Sequence, residues 1–319
     1  MRVLILGLSS LVQRRVRAAL CGLSAVERID VATRRAAADR ASFEWPDGEV
    51  FADYQVALEK SDAALVYVSL VNGEHLRWAQ RALGQGRHVV VDKPAFLGLE
   101  QADRMLELAA KQGVCLAEAT VFAYHPQVEF IRQQFRVADS APCRVTATFS
   151  FPSMDPDNFR YRRALGGGAL WDLGPYAAAV GRVFLDDEPA SVACRVLARG
   201  GPDGVETAFA VLEEFSNGRS VVGTFGFDTV YRNRLDLVGG ELGVEVDRIF
   251  TTPPEASNEL RITRRDGAAT VTAPPGDAFA LFFDHVLRRI DAGEWGQLSS
   301  DLHRDARTLH RLRQAAGVE

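Results

Sequence analysis

The run Val89-Val90-Val91-Asp92-Lys93-Pro94 decides the fold. Three β-branched residues in succession, stopped by an acid, a lysine and a proline, have the make-up of a short strand buried on both faces, as in a parallel sheet. Open α/β sheets hold ligands at the carboxyl ends of their strands. Lys93 therefore stands where chemistry is expected, and Pro94 fixes the chain as it leaves the sheet. The competing reading of these six residues is a solvated loop lysine after a core strand.

Working outward, the same rhythm recurs. Ala63 to Val68 is a further core strand ending at Ser69-Leu70-Val71-Asn72, followed by a helix from Glu74 to Leu83 that Gly84 and Gly86 close. Earlier in the chain, Val3 to Leu6 is a first strand, Gly7 a turn, and Val12, Val16, Ala19 and Leu20 mark a helix; Arg28 to Thr33 is a second strand. Later, Gln101 to Gln112 is helical and Val114 to Ala117 is another strand. Strands alternating with helices predict an α/β fold whose N-terminal domain, residues 1–119, is a doubly wound parallel sheet of Rossmann type.

Strand, glycine and helix form the context of a dinucleotide fingerprint. Here Gly7-Leu8-Ser9-Ser10-Leu11-Val12 keeps only the first glycine of G-x-G-x-x-G, with Ser9 at the second position and Val12 at the third. The turn and the helix N-terminus can still serve a pyrophosphate, and the Ser9 hydroxyl could bond a phosphate oxygen; an ordinary βα turn is the alternative. An NAD site would place an acid at the end of the second strand. Asp30 falls too early, and the strand ends in Thr33-Arg34-Arg35. A hydroxyl and two guanidinium forks suit a 2′-phosphate, which favours NADP(H) over NAD; the alternative puts both arginines on a solvated helix start. The expected cofactor contacts at these strand ends and the turns after them are Gly7, Ser9, Ser10, Leu11, Thr33, Arg34, Arg35, Ser69, Leu70, Asn72, His75, Asp92 and Lys93.

From about Thr120 the rhythm changes. Val121 to Pro126 leads into a helix from Gln127 to Phe135, after which strands follow with little helix between them: Val145 to Phe151, Ser191 to Leu197, Thr207 to Phe215, Ser220 to Phe227 and Arg234 to Val238. This second domain, residues 120–319, is expected to hold a mainly antiparallel sheet with one broad face open to a partner such as a second copy. Its interruption is Gly166-Gly167-Gly168-Ala169-Leu170-Trp171-Asp172-Leu173-Gly174-Pro175-Tyr176. If a helix has begun by Asp172, then Asp172 and Tyr176 share a face; the alternative is a glycine hinge with Tyr176 half-buried. Two helices close the chain, Ala278 to Ala292 and Asp301 to Ala316, the second with Ser299 or Ser300 as its N-cap.

Composition sets bounds. The 319 residues suffice for two domains, and 47% hydrophobic with 25% charged residues is ordinary for a soluble protein. A net charge of -5 gives no basic footprint for nucleic acid, and no apolar run reaches the length of a membrane span. Cys21, Cys115, Cys143 and Cys194 lack metal-type spacing, so no metal is expected and the setting is a reducing cytoplasm.

Four segments in this order carry a resemblance: Val3 to Gly7, Asp92-Lys93-Pro94, His125-Pro126 and the glycine-rich stretch to Tyr176. Together they resemble the glucose–fructose oxidoreductase / inositol dehydrogenase (Gfo/Idh/MocA) family over nearly the whole chain. Asp92 stands where that family usually has Glu, and Tyr176 where its catalytic histidine usually stands, as in the branch that reduces keto sugars with NADPH. Gln13-Arg14-Arg15, Tyr124 to Gln127 and Arg248 to Pro254 are most similar to nucleotide-sugar 3-ketoreductases of deoxysugar biosynthesis. The resemblance implies a Rossmann domain followed by an α/β domain with a large open sheet, and homodimers or homotetramers formed through that sheet. It implies reduction of a sugar ketone, with Lys93 and Tyr176 as the catalytic pair and the immediate proton donor left open between them. Expected substrate contacts are His125, Arg160, Tyr161, Arg162, Asp172 and Tyr176; Arg160, Tyr161, Arg162 and Arg163 are candidates for a diphosphate, with an exposed basic loop as the competing reading, and a structural histidine before a proline is the alternative for His125. Two other readings stay open: an NAD(P)-dependent dehydrogenase of a free sugar, polyol or dihydrodiol, and a dinucleotide-binding regulator without catalysis.

Overall fold

A computed structural model of the protein describes residues 1–34 and 48–318. The strands β1 (Arg2–Leu6), β2 (Arg28–Ala32), β3 (Val50–Phe51), β4 (Leu65–Val68), β5 (His88–Val91) and β6 (Leu116–Glu118) form one sheet in the order β3-β2-β1-β4-β5-β6. Every neighbouring pair is parallel. Val3 to Leu6 and Val89 to Val91 are wholly buried, which is why these runs are continuous in apolar residues rather than alternating. The strand order reverses between β1 and β4, the switch point at which doubly wound sheets open a crevice. A π-helical turn, Val12–Val16, runs into α1 (Arg17–Cys21), and α2 (Tyr54–Lys60), α3 (His75–Gly84) and α4 (Leu99–Gln112) follow. Asp53 caps α2 by accepting from the amides of Gln55 and Val56, at 2.7 and 3.0 Å.

The later part of the chain contains α5 (Pro126–Val137), β7 (Pro142–Ser150), α6 (Ala169–Asp172) and α7 (Gly174–Leu185). Then come β8 (Ser191–Gly200), β9 (Val205–Glu214), β10 (Ser220–Gly226), β11 (Arg232–Gly239), β12 (Gly243–Asp247), β13 (Glu259–Arg264) and β14 (Gly267–Thr272). Two helices, α8 (Ala278–Ala292) and α9 (Gly296–Ala315), end it. The second sheet runs β14-β13-β12-β11-β7-β10-β9-β8; β7 and β10 pair in parallel and all other neighbours are antiparallel. Val145, Ala147, Phe149, Phe209, Val211, Leu235 and Leu237 point from this sheet into one core that also takes Ala177, Val180 and Val183 of α7. The other face leaves Leu197, Leu212, Val222 and Val238 exposed.

The parallel-then-antiparallel order matches the sequence reading, with differences of detail. The chain forms two compact units, Met1–Ala119 with Phe279–His303 and Thr120–Ala278 with Arg304–Glu319. The segment 279–303, expected in the second domain, thus packs with the first: Phe283 of α8 sits edge-on to Tyr67 of β4 with ring centroids 5.3 Å apart. Strands β12, β13 and β14 were not foreseen, because β12 and β13 each carry only two buried apolar residues among polar ones and β14 carries none. Helix α9 begins at Gly296, so Ser299 and Ser300 lie inside it rather than at its cap; the Ser299 hydroxyl donates to the Leu116 carbonyl at 3.1 Å.

Candidate active site

In the first unit the strand ends converge on a polar network. Gly7 leaves β1 at φ +104, and a Cβ there would stand 2.1 Å from the Ser69 carbonyl oxygen, so no other residue permits this approach of the β1 and β4 loops. Ser9 accepts from the Val12 amide at 3.1 Å and lies 2.9 Å from the Ser69 hydroxyl. Ser69 in turn donates to Asp92 Oδ2 at 2.5 Å, while the Tyr67 phenol donates to Asp92 Oδ1. Burial pushes the Asp92 carboxyl up; the Ser69 and Tyr67 bonds and the charges of His75 and Lys93 oppose the shift. Burial and the same carboxylate hold the Tyr67 phenol well above its ordinary range, so it remains a donor.

With Asp92 ionised, the direction of this chain follows from proton count. Ser69 has one hydroxyl proton and gives it to Asp92. The Ser9–Ser69 bond must then be donated by Ser9, which keeps a lone pair for the Val12 amide. Val12, Ser9 and Ser69 therefore form one donor chain ending on Asp92, beside the half-buried Lys93.

The turn after β5 is held from three sides. The Lys93–Pro94 bond is cis, an isomer the sequence left open. The Pro94 carbonyl lies 2.9 Å from His75 Nδ1, the Leu70 carbonyl lies 3.1 Å from His75 Nε2, and the Ala95 amide donates to Glu118 Oε2 at 2.7 Å. His75 is wholly buried, and burial lowers its imidazole pKa. Its ring sits between the Leu70 and Pro94 carbonyls, donating to one of them as a neutral imidazole, and so acts on the crevice through the backbone. Ser69 and Asn72 are buried, Leu70 and Leu11 are half-buried, and Ser10 is exposed. Thr33 is buried, and the Arg34 guanidinium lies 4.8 Å from the Tyr54 ring centre. Arg35 lies outside the described residues. Asp30 is structural: it accepts from Arg28 Nε, the Glu49 amide and the Ser61 hydroxyl.

In the second unit the glycine-rich stretch is a folded turn. Gly168 has φ +112, and a Cβ there would stand 2.4 Å from Glu206 Oε1. The Gly167 and Gly168 amides donate to the carbonyls of Arg162 and Arg160, at 3.0 and 2.8 Å. Helix α6 stops at Asp172 and α7 starts at Gly174, with Leu173 between them, so Asp172 and Tyr176 lie on two consecutive helices rather than one. Pro175 sits in the first turn of α7, where its missing N–H breaks no ladder bond.

The Tyr176 ring is half-buried among Phe122, Phe149 and Phe250, with centroid distances of 5.9, 5.2 and 5.2 Å. Arg160 Nε donates to the buried Asp172 Oδ2 at 2.8 Å. Burial disfavours the Arg160 cation, but the Asp172 charge and hydrogen bond, with the Tyr176 phenol nearby, carry its pKa above the ordinary value. Arg162 faces Asp157 and Asp203, at 3.2 and 3.9 Å. Tyr161 is buried edge-on against Phe227 with its hydroxyl bonded by the Met154 amide at 3.1 Å. His125 is buried and caps α5, Nδ1 accepting from the Gln127 amide at 3.1 Å. In this geometry Tyr161 and His125 are buried and each accepts from a backbone amide, Arg160 and Asp172 are bonded to one another, and Tyr176 keeps exposed surface.

Sequence reasoning missed Tyr67, Glu118 and the three phenylalanines around Tyr176. Tyr67 carried a visible signal, a phenol inside an otherwise aliphatic strand. Phe122, Phe149 and Phe250 come from three separate segments, and nothing local joins them.

A sheet with a glycine-tight crevice at its switch point, together with a separate antiparallel unit presenting a caged tyrosine, is the layout of a dinucleotide-dependent oxidoreductase. Residues 1–120 match the oxidoreductase family with an NAD-binding Rossmann fold, and residues 141–245 match the GFO/IDH/MocA C-terminal domain. The chain belongs to the GFO/IDH/MocA oxidoreductase family. It is 32% identical over 296 residues to a dTDP-3,4-didehydro-2,6-dideoxy-alpha-D-glucose 3-reductase of Saccharopolyspora spinosa, covering 92% of this chain and 88% of that one. The enzyme of the same description from Streptomyces violaceoruber is 30% identical, covering 99% and 95%. Among solved structures, KijD10, a 3-ketoreductase from Actinomadura kijaniata in complex with NADP and TDP-benzene, superposes with a TM-score of 0.91 at 28% identity, covering 99% and 98%.

Proposed function

We propose that the protein is an NADPH-dependent reductase of a ketone on a nucleotide-linked deoxysugar. The observation that carries this reading is the full-length similarity to 3-reductases of dTDP-linked didehydro-dideoxyglucose, joined to the caged Tyr176. The crevice suits a dinucleotide: the Gly7 turn has no room for a side chain, and the Thr33-Arg34 strand end offers a hydroxyl and a guanidinium for a 2′-phosphate. When bound, the reduced nicotinamide supplies a hydride. As the ketone carbon gains that hydride, the carbonyl electron pair moves onto oxygen and takes a proton from Tyr176 or Lys93, which solvent restores.

Each donor has local support. The ring of Tyr176 packs against three phenylalanines and stays half-buried rather than fully buried. Lys93 stands on a turn fixed by His75 and Glu118, and its ammonium can stabilise the charge building on the oxygen. Asp172 and Arg160 act as a pair that orients the start of α7 and the substrate hydroxyls near it. No helix among the described residues is long and apolar enough to cross a membrane. All four cysteines are free, consistent with the cytoplasm as the working compartment. The exposed Leu197, Leu212, Val222 and Val238 make the open sheet face the surface for a homodimer or homotetramer.

The test follows NADPH oxidation on a panel of nucleotide-linked and free keto sugars. Tyr176→Phe and Lys93→Ala should each lower kcat by about 10²–10⁴-fold, the usual worth of a positioned proton donor. If both variants turn over like the parent, the mechanism fails; if only free sugars react, the substrate class is wrong. NADPH should bind more tightly than NADH, and the reverse order removes the role given to Thr33 and Arg34.

A further inference from the structure

A second aromatic surface adjoins the cage around Tyr176. Tyr231, at the entry to β11, packs edge-on against Phe149 with centroids 6.5 Å apart, and Phe149 lies 5.2 Å from Tyr176. Unlike the caged rings, Tyr231 is exposed, at 45% of its surface. The Arg248 guanidinium carbon stands 5.9 Å from its ring centre.

This ledge is built from below. Asn233 is buried, and its Nδ2 donates to the Tyr231 hydroxyl at 3.2 Å and to Thr251 Oγ1 at 2.9 Å. Its Oδ1 accepts from the Phe250 amide at 3.1 Å, and its carbonyl accepts from the Arg248 amide at 2.5 Å. One buried amide thereby sets the exposed tyrosine, the exposed arginine and the cage residue Phe250. Arg248 has φ +54, a left-handed conformation that glycine adopts without strain. Strained non-glycine residues cluster at ligand sites, where their side chains are needed. Arg248 also makes no salt bridge among the described residues, whereas Arg160 and Arg162 face carboxylates.

We propose that Tyr231 and Arg248 form the seat of a nucleoside diphosphate, the base stacked on the Tyr231 ring and the diphosphate paired with the Arg248 guanidinium. Flat bases stack on exposed aromatic rings, and the guanidinium fork matches phosphate oxygens. Tyr176 and Tyr231 both pack on the Phe149 ring, at centroid distances of 5.2 and 6.5 Å, which puts the exposed ring one side chain away from the proposed proton donor. The proposal rests on the sugar-nucleotide reading above and moves the expected diphosphate contact from the arginines before the glycines to Arg248.

Calorimetric titration of the intact chain with thymidine diphosphate and with inorganic pyrophosphate tests it apart from any turnover. Tyr231→Ala should weaken thymidine diphosphate about tenfold or more and leave pyrophosphate within about twofold, since stacking acts on the base alone. Arg248→Ala should weaken both ligands, and Tyr231→Phe, which keeps the ring, should bind like the parent. Wild-type affinity in both alanine variants overturns the proposal, as does a parent that binds no thymidine diphosphate, or equal losses for both ligands in Tyr231→Ala. A parent that binds the nucleotide through these residues but reduces no nucleotide-linked sugar would refute the proposed reaction and leave the seat standing.

Discussion

Replacing Ser69 by alanine interrupts the donor chain at its middle. Asp92 loses one of its two hydroxyl donors, and Ser9 loses its acceptor. Ser9 is half-exposed and can turn its hydroxyl to water, so its share of the cost is small. The main loss is a hydrogen bond to a buried charge, worth about 1.5–3 kcal/mol. For a unit of this size each kcal/mol moves the melting temperature by about 4 °C, which gives a fall of roughly 6–12 °C at pH 8. The effect has a pH signature. Burial already raises the Asp92 pKa, and the Ser69 bond works against that rise, so its removal raises the pKa further. A raised carboxyl pKa means that the fold is penalised as pH climbs through the folded value and the group ionises. The gap between Ser69→Ala and the parent should therefore be widest near pH 8 and narrow towards pH 5, where more of Asp92 is protonated in both. Scanning calorimetry across that range reads the result. A gap that is independent of pH, or wider in acid, would refute an ionised Asp92 as the end of the chain.

Two further perturbations act elsewhere. Gly7→Ala puts a methyl group 2.1 Å from the Ser69 carbonyl at a positive φ, so the β1 and β4 loops must part; NADPH affinity, read by fluorescence titration, should fall at least about tenfold, the equivalent of 1.4 kcal/mol, and unchanged affinity would exclude this turn from the cofactor site. Glu213 on β9 is wholly buried with no hydrogen-bond partner for either oxygen among the described residues, and burial, reinforced by the Asp305 charge and opposed by Arg311, pushes its pKa well above the ordinary value. The parent must lose stability as pH rises from the unfolded carboxylate range towards that raised value, and Glu213→Gln should not. The variant's advantage should thus grow from pH 5 to pH 8 and reach on the order of 1–3 kcal/mol; a variant less stable than the parent at pH 8 contradicts a lone buried acid.

The parts legible in the sequence are those whose cause is local. Val3 to Gly7 and Val89 to Lys93 announce buried strands and their ends because burial on both faces demands unbroken apolar runs. The glycine at position 7 follows from a turn that no side chain can enter. What depended on distant partners was not legible. Asp172 and Tyr176 are four residues apart and would share a face if one helix ran through both; the helix instead ends at Asp172 and restarts at Gly174, and Arg160 bonds the Asp172 carboxylate. Phe283 gave no sign that it would return to pack on Tyr67, and the rings around Tyr176 come from positions 122, 149 and 250.

The same distinction bears on where a diphosphate binds. Charge counted along the chain favours Arg160 to Arg163, four residues with three guanidinium groups just before the glycines. Charge counted in space is different. Arg160 is offset by Asp172, and Arg162 by Asp157 and Asp203, while the Arg163 amide is held by Asp203 at 2.8 Å. A guanidinium already paired with a carboxylate must give up that bond, or share it, before it can hold an incoming phosphate. Arg248 carries no such debt among the described residues, and it is held in a strained backbone by an asparagine that also sets the neighbouring aromatic ring. A cation of this kind meets an anion at a lower cost in desolvation and rearrangement than one drawn from an existing pair. To hold a diphosphate, Arg160 and Arg162 would have to share or give up a carboxylate, whereas Arg248, just after β12, would not.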